Sequence, residues 1–496
     1  DVDLDNQRHL SDANNSGSSS NSSLSARSLD SPNTSSLELA GPSVSSSSLR
    51  ARDSETPDHS AIRHSELITS SFSTPPKWEG DSDIEIEQDP PDWTKDVPEE
   101  ILSRLDRLEK KRQEVINELF HTERLYVRKL KIMDRLFFRP IVSQQLLSTD
   151  VVQLLFPNLE EVLEIHEQFN SSLKKKRTED PLVGDIGPVL LESFDGEKGD
   201  QLKLAASTFC ARQQIGLEML RERRKRDMKF HAFLTEAESD PVCRRLGIKD
   251  MIPTVMQRLT KYPLLFESLC NCTAADSTEY KNLQRALELS KEVLCSVNLA
   301  KKEAEDEERL QEIQRRLDKS FFEKGVERTD HAFNDLRNFD FTRHKLSYDG
   351  SLIWRVQKAK GDRLKSEHQE VLLVLLEDMI VLLLKVDDKY VLKNHNIGSG
   401  KADRMPAKPI IKLNTLHATR VAADKKAFYL LSKTSPIPFM FELVCSTPEE
   451  RTSWLQHITK AADEYKSRQE SRRCEVHPIN NIPPSAAAAE SEDRTK

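Results

Sequence analysis

Apolar residues recur every three or four positions along most of the chain between Ile101 and Asp318. From Val115 to Met133, for example, the apolar side chains fall on one side of a helix. The same spacing predicts further helices over Val151–Phe169, Leu202–Leu220, Ile252–Leu269 and Tyr280–Leu317. Turn signals rich in Gly, Asp and Pro separate them. Helices joined by short connections over this length predict an all-α, elongated helical bundle.

After about Tyr348 the pattern changes to short apolar runs that are typical of β-strands. Six strands are predicted, over Ser351–Gln357, Glu370–Leu376, Ile380–Val386, Ile410–Leu413, Phe428–Leu431 and Phe439–Val444. Glu377 and Asp378 would form the turn of one hairpin. Residues 345–465 are therefore predicted to form a small β-barrel.

A closing helix is predicted from a local signal at its start. Thr447 is an N-cap residue, Pro448 suits the first helical position and Glu450 completes a capping box. Trp454 and Ile458 then fall on one helix face. We expect this C-terminal α-helix to cap the barrel.

The two ends of the chain have the composition of disordered segments. Residues 1–80 are dominated by Ser, Asn, Asp and Thr, which bury too little apolar area to offset the conformational entropy of folding. Ser31-Pro32 and Thr74-Pro75 are candidate phosphorylation sites in this Ser-rich tail. Residues 466–496 are polar and then Ala-rich, and they too are predicted to be disordered.

An acidic segment lies between the N-terminal tail and the bundle. Asp81 to Glu100 contains nine acidic residues and one basic residue, Lys95. It is either a solvated linker or a strip that docks on a basic surface of the bundle and restrains it. Trp93 favours docking, because a lone Trp in a polar segment usually fills an apolar site. We assign residues 81–110 as an acidic regulatory linker and leave both interpretations open.

The last helix of the bundle becomes highly charged from Lys301 to Arg316. This predicts that it leaves the bundle as a solvated strut. The ordered chain is accordingly divided into a helical domain over 111–302, a linker helix over 303–344 and a β domain over 345–465.

Composition and missing motifs exclude several classes of protein. Of 496 residues, 74 are Lys or Arg and 82 are Asp or Glu, so the net charge of −8 does not favour nucleic acid as a partner. Seven Cys without a C-x-x-C pair favour reduced thiols over disulfides or a zinc site. The longest apolar run, Val371 to Val386, is too charged to span a bilayer. Because Walker A, H-E-x-x-H and G-x-S-x-G motifs are missing, we expect no bond-making enzyme, no metal and no cofactor.

Two helical segments carry polar residues that amphipathicity does not require. VINELFHTERLYVRKL, residues 115–130, places Glu118 and Thr122 four residues apart. IPTVMQRLTKYPLLF, residues 252–266, has Pro263 inside a predicted helix, which favours a kink beside Lys261. Taken alone, Glu118 is expected to be a solvated helix residue. Core positions are expected at Leu259, Tyr262, Leu264 and Leu265.

These two segments resemble the first and third conserved regions of the Dbl homology domain, the helical module of guanine-nucleotide exchange factors for Rho GTPases. The β segment with its C-terminal Trp helix is similar to the pleckstrin homology domain that accompanies it, and the resemblance covers residues 93–465. The strings KRQEVINEL, CRRLGIKD, IPTxMQRLTKYPLL and PPDW resemble more narrowly the subgroup of leukaemia-associated and PDZ-containing Rho exchange factors. The implied function is release of GDP from RhoA-like GTPases, which activates Rho signalling to the actin cytoskeleton.

The resemblance implies roles for residues at matching positions. Glu118 matches the glutamate that engages switch I of the GTPase. Lys261 and Asn298 match the residues that hold switch II. Three further positions match residues that contact the GTPase in the subgroup, namely Arg244, Arg245 and Trp93.

In the β domain the resemblance points to two surfaces. Basic residues fill the predicted loop between the first two strands, where pleckstrin homology domains can bind phosphoinositides: Lys358, Lys360, Arg363 and Lys365. Glu367 and Glu370 stand where a lipid-binding Arg is expected, so only weak association with acidic membrane is implied. Tyr429 and Leu431 are candidates for an apolar patch that meets GTP-loaded Rho in the subgroup, with burial in the barrel core as the alternative.

The resemblance also implies a heterotrimeric G-protein alpha subunit as an upstream partner, through an RGS-like region not visible in this chain. It implies a cytoplasmic protein that is recruited to the plasma membrane. The chain begins at Asp1, and we expect it to be a fragment.

Two rival functions are a non-catalytic membrane and cytoskeletal scaffold and a nucleic-acid adaptor built on Arg221–Lys229. Retention of Glu118, Lys261 and Asn298 argues against the scaffold, and the net charge argues against the adaptor. Arg221–Lys229 is expected to be a solvated helix face or a docking surface for the acidic strip.

Overall fold

The computed structural model describes residues 78, 80–318, 336–360, 363–393, 395–397, 405–433 and 438–476. All of these lie in one unit of the fold, Ser73–Lys496. The candidate phosphorylation sites at Ser31 and Thr74, and nearly all of the predicted N-terminal tail, lie outside the described residues. Among the described helices, none is both long and apolar enough to cross a membrane.

The first part of the described chain is helical, as its 3.6-residue periodicity predicts. Its helices are α1 (Glu99–Arg104), α2 (Arg107–Ile132), α3 (Arg139–Ser143), α4 (Thr149–Leu155), α5 (Leu159–Glu179), α6 (Gly187–Phe194), α7 (Gly196–Ala211), α8 (Gln213–Arg226), α9 (Met228–Ser239), α10 (Ile248–Met251), α11 (Thr254–Asn271) and α12 (Thr278–Arg315). A 3-10 helix at Trp93–Asp96 precedes α1, and a π-helical turn at Met133–Phe138 continues α2. The Asp106 carboxylate begins α2 by accepting a hydrogen bond from the Glu109 amide at 2.7 Å.

The apolar faces of these helices meet in one core. α11 lies against both α2 and α12, and α12 also lies against α6 and α7. The centre of the core is aromatic, with ring centroids of Phe194, Tyr262 and Phe266 between 5.1 and 5.9 Å apart. Pro263 lies inside α11 and is buried. The predicted helical bundle is confirmed.

The second part of the described chain is a sheet with a C-terminal helix. Its strands are β1 (Leu317–Asp318), β2 (Leu346–Lys360), β3 (Arg363–Leu376), β4 (Met379–Val386), β5 (Lys389–Val391), β6 (His395–Ile397), β7 (Met405–Ala407), β8 (Ile410–Lys412), β9 (Leu416–Arg420), β10 (Ala427–Ser432) and β11 (Phe439–Val444). The main sheet has the order β1-β5-β4-β3-β2-β11-β10-β9, with β8 on β4, while β6 and β7 form a separate pair. Neighbours are antiparallel except for β1 and β5.

The C-terminal helix, α13 (Pro448–Val476), begins at the predicted capping box. The Thr447 hydroxyl accepts from the Glu450 amide at 3.2 Å, and the Glu450 carboxylate accepts from the Ser446 amide at 2.8 Å. Trp454 and Ile458 of α13 are buried in the core that residues of β2, β3, β10 and β11 line. The predicted cap of the β domain is confirmed.

The second half of β3, Val371–Leu376, is buried on both faces. Val371, Leu373 and Leu375 point into the core with Trp454, whereas the intervening side chains Leu372, Val374 and Leu376 form a second core with α12. Leu310 and Ile313 of α12 are buried in that second core. This explains why β3 is a continuous apolar run and not an alternating one.

The prediction that α12 leaves the bundle as a solvated strut is therefore wrong for its last turns. Besides the apolar contacts, the Arg309 guanidinium donates to the Asp349 carboxylate of β2 at 2.8 and 2.9 Å. The helix also ends at Arg315, so the predicted linker helix does not continue to residue 344. Leu317, assigned to that helix from the sequence, begins a strand.

Two other boundaries differ from the sequence predictions. α13 continues to Val476, so residues 466–476 are helical and not a disordered tail. The predicted loop that contains Lys358, Lys360, Arg363 and Lys365 is an extension of the β2–β3 hairpin, paired up to Lys360 and Arg363.

Candidate functional site

The three polar residues singled out by the sequence lie on three neighbouring helices. Glu118 lies on α2, Lys261 on α11 and Asn298 on α12, and each is exposed. α11 packs between the other two helices. The prediction that Glu118 is solvated is confirmed. Because α11 packs against both α2 and α12, the helices that carry Glu118, Lys261 and Asn298 are neighbours.

Behind the exposed Glu118 lies a buried polar cluster that joins α2 to α11. The Arg258 guanidinium of α11 donates to the Glu123 carboxylate at 2.7 and 2.8 Å, and to the Thr122 hydroxyl at 2.7 Å. The Tyr262 hydroxyl donates to the same carboxylate at 2.7 Å, and His166 Nδ1 lies 2.8 Å from its other oxygen. Arg258, Glu123, Tyr262 and His166 are all at least 95% buried. A charge pair so deeply buried depends on such complete hydrogen bonding.

The charge of Glu123 is maintained by these partners. Burial by itself would raise the pKa of this carboxyl, but the Arg258 charge and the hydrogen bond with His166 outweigh it and lower the pKa to about 2. Conversely, burial would lower the pKa of Arg258, and the Glu123 charge outweighs it and raises that pKa. The pair is therefore ionised at neutral pH.

Sequence reasoning missed most of this cluster. It treated Tyr262 as core and did not single out Arg258, Glu123 or His166. The only signal in the sequence was that Glu123 and Arg258 each occupy a position among the apolar residues of their helix. Which charges would pair could not be inferred, because Glu123 and Arg258 are 135 residues apart.

Exposed apolar side chains accompany the polar ones. Leu264, one turn after Lys261, is 56% exposed, and Leu299, next to Asn298, is 58% exposed. The prediction that Leu264 belongs to the core is wrong, because it lies on the solvent side of α11. Large apolar side chains left in solvent beside polar candidates are typical of a protein-binding surface.

The acidic segment before the bundle docks on it and is not a solvated linker. We call residues 80–97 the strap. Its side chains Ile84, Ile86, Trp93 and Val97 are buried, while Glu85 and Glu87, which flank Ile86, face solvent. The strap is thus held in part by apolar side chains, as the lone Trp suggested.

The backbone of the strap is hydrogen-bonded along its length by side chains of the bundle. Carbonyls of the strap receive these bonds at five positions, from Arg124 to Ser82 at 3.3 Å, from Arg128 to Ile84 at 2.9 Å, from Arg244 to Ile86, from His121 to Gln88 at 2.9 Å and from Asn117 to Pro91 at 2.8 Å. An irregular segment lacks the internal pairing of a helix or sheet, so these bonds satisfy carbonyls that docking removes from water. All the donors except Arg244 lie on α2, at three- and four-residue spacing from Asn117, the neighbour of Glu118.

Two aspartates add an ionic attachment to the strap. Asp83 pairs with Lys131 at 3.1 Å and with Lys174, and Asp81 pairs with Lys131 at 2.9 Å. Burial would raise the pKa of Asp83, but the hydrogen bonds from Lys174 and Lys131 outweigh it and lower the pKa to about 2. Asp83 is therefore charged at any physiological pH.

Comparison with known proteins identifies the family. Residues 115–298 match the RhoGEF domain and residues 330–463 match a PH domain. Rho guanine nucleotide exchange factor 12 from Homo sapiens is 40% identical over 386 residues, which is 77% of this chain and 24% of that protein. The chain belongs to the RhoGEF family. The Dbl homology and pleckstrin homology arrangement predicted from the sequence is confirmed.

Solved structures agree with this assignment. The DH/PH domains of p115-RhoGEF match with a TM-score of 0.67 at 39% identity, covering 76% of this chain and all of that one. The PDZ-RhoGEF DH/PH domains, crystallised in complex with GTP-γ-S-activated RhoA, match with a TM-score of 0.67 at 34% identity over the same shares. The chain spans between about a quarter and two fifths of the length of the curated relatives it matches.

Two of the residues predicted to contact the GTPase are engaged in contacts within the chain. Trp93 is 9% exposed and packs on the bundle, and Arg244 is bonded to the strap carbonyl of Ile86. Arg245 is exposed, and both arginines have a positive φ, at 50° and 65°. These two consecutive left-handed residues form the turn that directs Arg244 to the strap and Arg245 to solvent.

The basic segment of α8 is not the docking site of the strap. Arg221, Arg223, Lys225 and Arg226 are exposed, and Arg226 pairs with Glu222 one turn earlier at 3.1 Å. The strap instead contacts basic residues of α2, α5 and the turn after α9. Of the two expectations for Arg221–Lys229, the solvated helix face is the one observed.

On the PH domain, Tyr429 and Leu431 lie on the outer face of β10. Both are half-buried, whereas Phe428 and Leu430 point into the core. Leu431 pairs with Met440 on the neighbouring strand β11, and Met440 is 46% exposed. Tyr429, Leu431 and Met440 therefore form an apolar patch on one face of the sheet. The side chains of Lys358 and Lys360 lie outside the described residues.

A His, Glu and Asp cluster occurs at the turn between β3 and β4. His344 Nδ1 lies 3.3 Å from the Glu377 carboxylate and 3.8 Å from that of Asp378. The Lys345 amide donates to the other Glu377 oxygen at 2.7 Å. These groups are all partly exposed, and we assign no metal to the cluster.

Proposed function

We propose that this chain is a guanine-nucleotide exchange factor that releases GDP from RhoA-like small GTPases. The observation that carries the proposal is its match to the whole DH/PH chain of PDZ-RhoGEF, which was crystallised with activated RhoA. Three exposed polar side chains on neighbouring helices support it, with Glu118 engaging switch I and with Lys261 and Asn298 engaging switch II. No bond is made or broken by the protein.

The mechanism is differential binding. A GTPase holds its nucleotide through Mg²⁺ and ordered switch loops, so an exchange factor must bind the nucleotide-free switch arrangement more tightly than the loaded one. Moving an equilibrium from 1:99 to 99:1 requires about 5.5 kcal/mol of such preference. Charge-assisted hydrogen bonds contribute about 1 to 3 kcal/mol each, so the three polar residues supply energy of that order. Leu264 and Leu299 would add apolar contact beside them.

The preference for RhoA is proposed to involve the turn after α9. Arg245 is exposed and available to acidic residues of a GTPase, and Arg244 becomes available only when it leaves Ile86. Charged residues at the rim of an interface act on partner choice and association rate more than on affinity.

The exchange activity is tested by release of a fluorescent GDP analogue from RhoA, Rac and other Rho-family GTPases. We expect acceleration on RhoA above the others. If no GTPase responds even to the chain without residues 1–88, the non-catalytic scaffold becomes the better description.

The PH domain is proposed to make a second contact. Tyr429, Leu431 and Met440 form an apolar patch suited to GTP-loaded Rho. Because GTP-loaded Rho is the product of exchange, its binding to this patch would hold the exchange factor near its site of action. The PH match also supports recruitment from the cytoplasm to the plasma membrane, which sedimentation with anionic and neutral vesicles tests.

The strap is proposed to restrain exchange. It runs beside Glu118 and holds Trp93 and Arg244 in contacts within the chain, so a GTPase must compete for them. A restraint worth about 1 kcal/mol would reduce the competent fraction about fivefold.

We therefore expect Asp81→Asn combined with Asp83→Asn to raise the rate of GDP release from RhoA about threefold to tenfold. The substitutions remove the ionic attachment to Lys131 and Lys174 and retain the size of the side chains. Glu85→Gln with Glu87→Gln is the matched control, because it removes the same charge from solvent-facing strap positions. Equal rates for the wild type and both double variants would refute the restraint.

A further inference from the structure

The hydrogen bonds of Arg258 extend beyond those that neutralise its charge. The Glu123 carboxylate alone balances the charge of the guanidinium, and it accepts hydrogen bonds from two of the guanidinium nitrogens. The remaining bonds go to the Thr122 hydroxyl at 2.7 Å and to the Leu119 carbonyl at 3.3 Å. Both acceptors lie in the turn of α2 that follows Glu118.

Thr122 continues this connection to Glu118 itself. Its hydroxyl accepts from Arg258 and donates to the Glu118 backbone carbonyl at 2.6 Å. Thr122 therefore uses both its donor and its acceptor capacity, one within α2 and one across to α11. Arg258 lies three residues before Lys261, so the bonds connect the two turns that carry the predicted switch I and switch II contacts.

Apolar packing between α2 and α11 does not by itself fix how the two helices are aligned along their length. Leu119 and Leu259 are buried side chains whose attraction is non-directional, and small sliding motions preserve it. Hydrogen bonds from a rigid planar guanidinium to three acceptors in one turn are directional. They hold α2 at one position relative to α11.

We propose that Thr122 and Arg258 are positioning residues for nucleotide exchange, which set the turn bearing Glu118 against the turn bearing Lys261. The inference rests on the proposed exchange function and names residues that act through others. Neither is required to touch the GTPase. A displacement of about 1 Å at a reacting or binding group can reduce the rate by up to a hundredfold, so the alignment of these turns matters.

The test uses Thr122→Val, which keeps the shape and removes the hydroxyl, and Thr122→Ser, which restores it. In the full chain, we expect the valine variant to release GDP from RhoA about tenfold more slowly and the serine variant to remain within about twofold of wild type. Thr235→Val is the matched control, since Thr235 makes the same local bond to the carbonyl four residues earlier but bonds to no other helix in the described structure. It should leave the rate unchanged.

A double-mutant cycle with Glu118→Ala separates positioning from direct contact. If Thr122 acts through Glu118, then Thr122→Val slows exchange by less than about twofold in the Glu118→Ala background. Losses that multiply would instead mean that Thr122 contacts the GTPase or acts independently, and would overturn the proposal. Melting temperatures of all variants are measured in parallel, and a lower melting temperature with wild-type exchange would identify a purely structural role and overturn it as well.

Arg258→Lys provides a second route if the valine variant does not fold. It keeps a cation beside Glu123 and removes the planar fork that reaches Thr122 and Leu119. We expect a similar loss of rate, and a wild-type rate would contradict the proposal. A wild-type chain that is inactive on every GTPase would overturn the proposed function and this inference together, whereas an active wild type beside an equally active Thr122→Val overturns the inference alone.

Discussion

Replacing Glu118 and Asn298 together by alanine is expected to slow GDP release from RhoA by about a hundredfold or more. Each side chain is proposed to make bonds that exist only with the nucleotide-free switch regions, so their loss reduces the differential binding that drives release. Two such contacts at about 1 to 3 kcal/mol each account for an effect of this size. Both residues are exposed, so the fold should not change.

The rate is measured with a fluorescent GDP analogue on RhoA, with circular dichroism as the check on folding. Glu288→Ala is a suitable control, because Glu288 is an exposed glutamate of α12 whose nearest cation, Arg285, is 3.9 Å away. The control should exchange at the wild-type rate. Wild-type activity in the Glu118→Ala, Asn298→Ala protein would remove these residues from the mechanism.

Glu123→Ala is expected to have the largest effect on stability, lowering the free energy of unfolding of the bundle by about 3 to 5 kcal/mol. The substitution leaves Arg258 buried without its counter-charge and removes the acceptor of the Tyr262 hydroxyl. Urea unfolding followed by far-ultraviolet circular dichroism measures the change, since α-helices of the bundle dominate that signal. Glu288→Ala again serves as the control and should change stability by no more than about 0.5 kcal/mol. A midpoint for Glu123→Ala equal to that of the control would contradict the role of the cluster.

The same pair predicts how acid acts on the bundle. The unfolded chain takes up a proton at Glu123 near its ordinary pKa of 4.5, whereas the folded carboxylate does so only at about 2. The stabilisation is therefore complete above about pH 4.5 and is lost as the pH falls from 4.5 towards 2, by about 3 kcal/mol in total. Glu123→Gln cannot titrate, so the stability difference between wild type and this variant should narrow over that window. A difference that is independent of pH would show that Glu123 is not ionised in the fold.

Much of the architecture was accessible from local patterns. The stripe from Val115 to Met133 predicted α2, and the capping box at Thr447 predicted where α13 begins. These signals are local because helix formation and capping depend on residues within a turn or two of each other. The family resemblance likewise depended on short strings such as those around Glu118 and Lys261.

Predictions failed where a segment finds its partner far away in the chain. The charged half of α12 carries Leu310 and Ile313 at positions that pack on the outer face of β3, about sixty residues later, which converts an apparent strut into part of a core. Leu264 lies within an apolar string yet remains in solvent, because only one side of α11 faces the bundle. Apolar character alone does not say which side another element will cover.

The sequence by itself determined the main helices, six strands of the β domain and the resemblance to the RhoGEF family, since each depends on residues within a short stretch. Tertiary structure alone decided that the strap docks, and that Asp83 reaches Lys131 and Lys174 while Glu85 and Glu87 stay in water. It also decided the pairing of Arg258 with Glu123 and Thr122. Those choices depend on burial and on charges brought together across long separations, where solvation and geometry select one partner among many of equal charge.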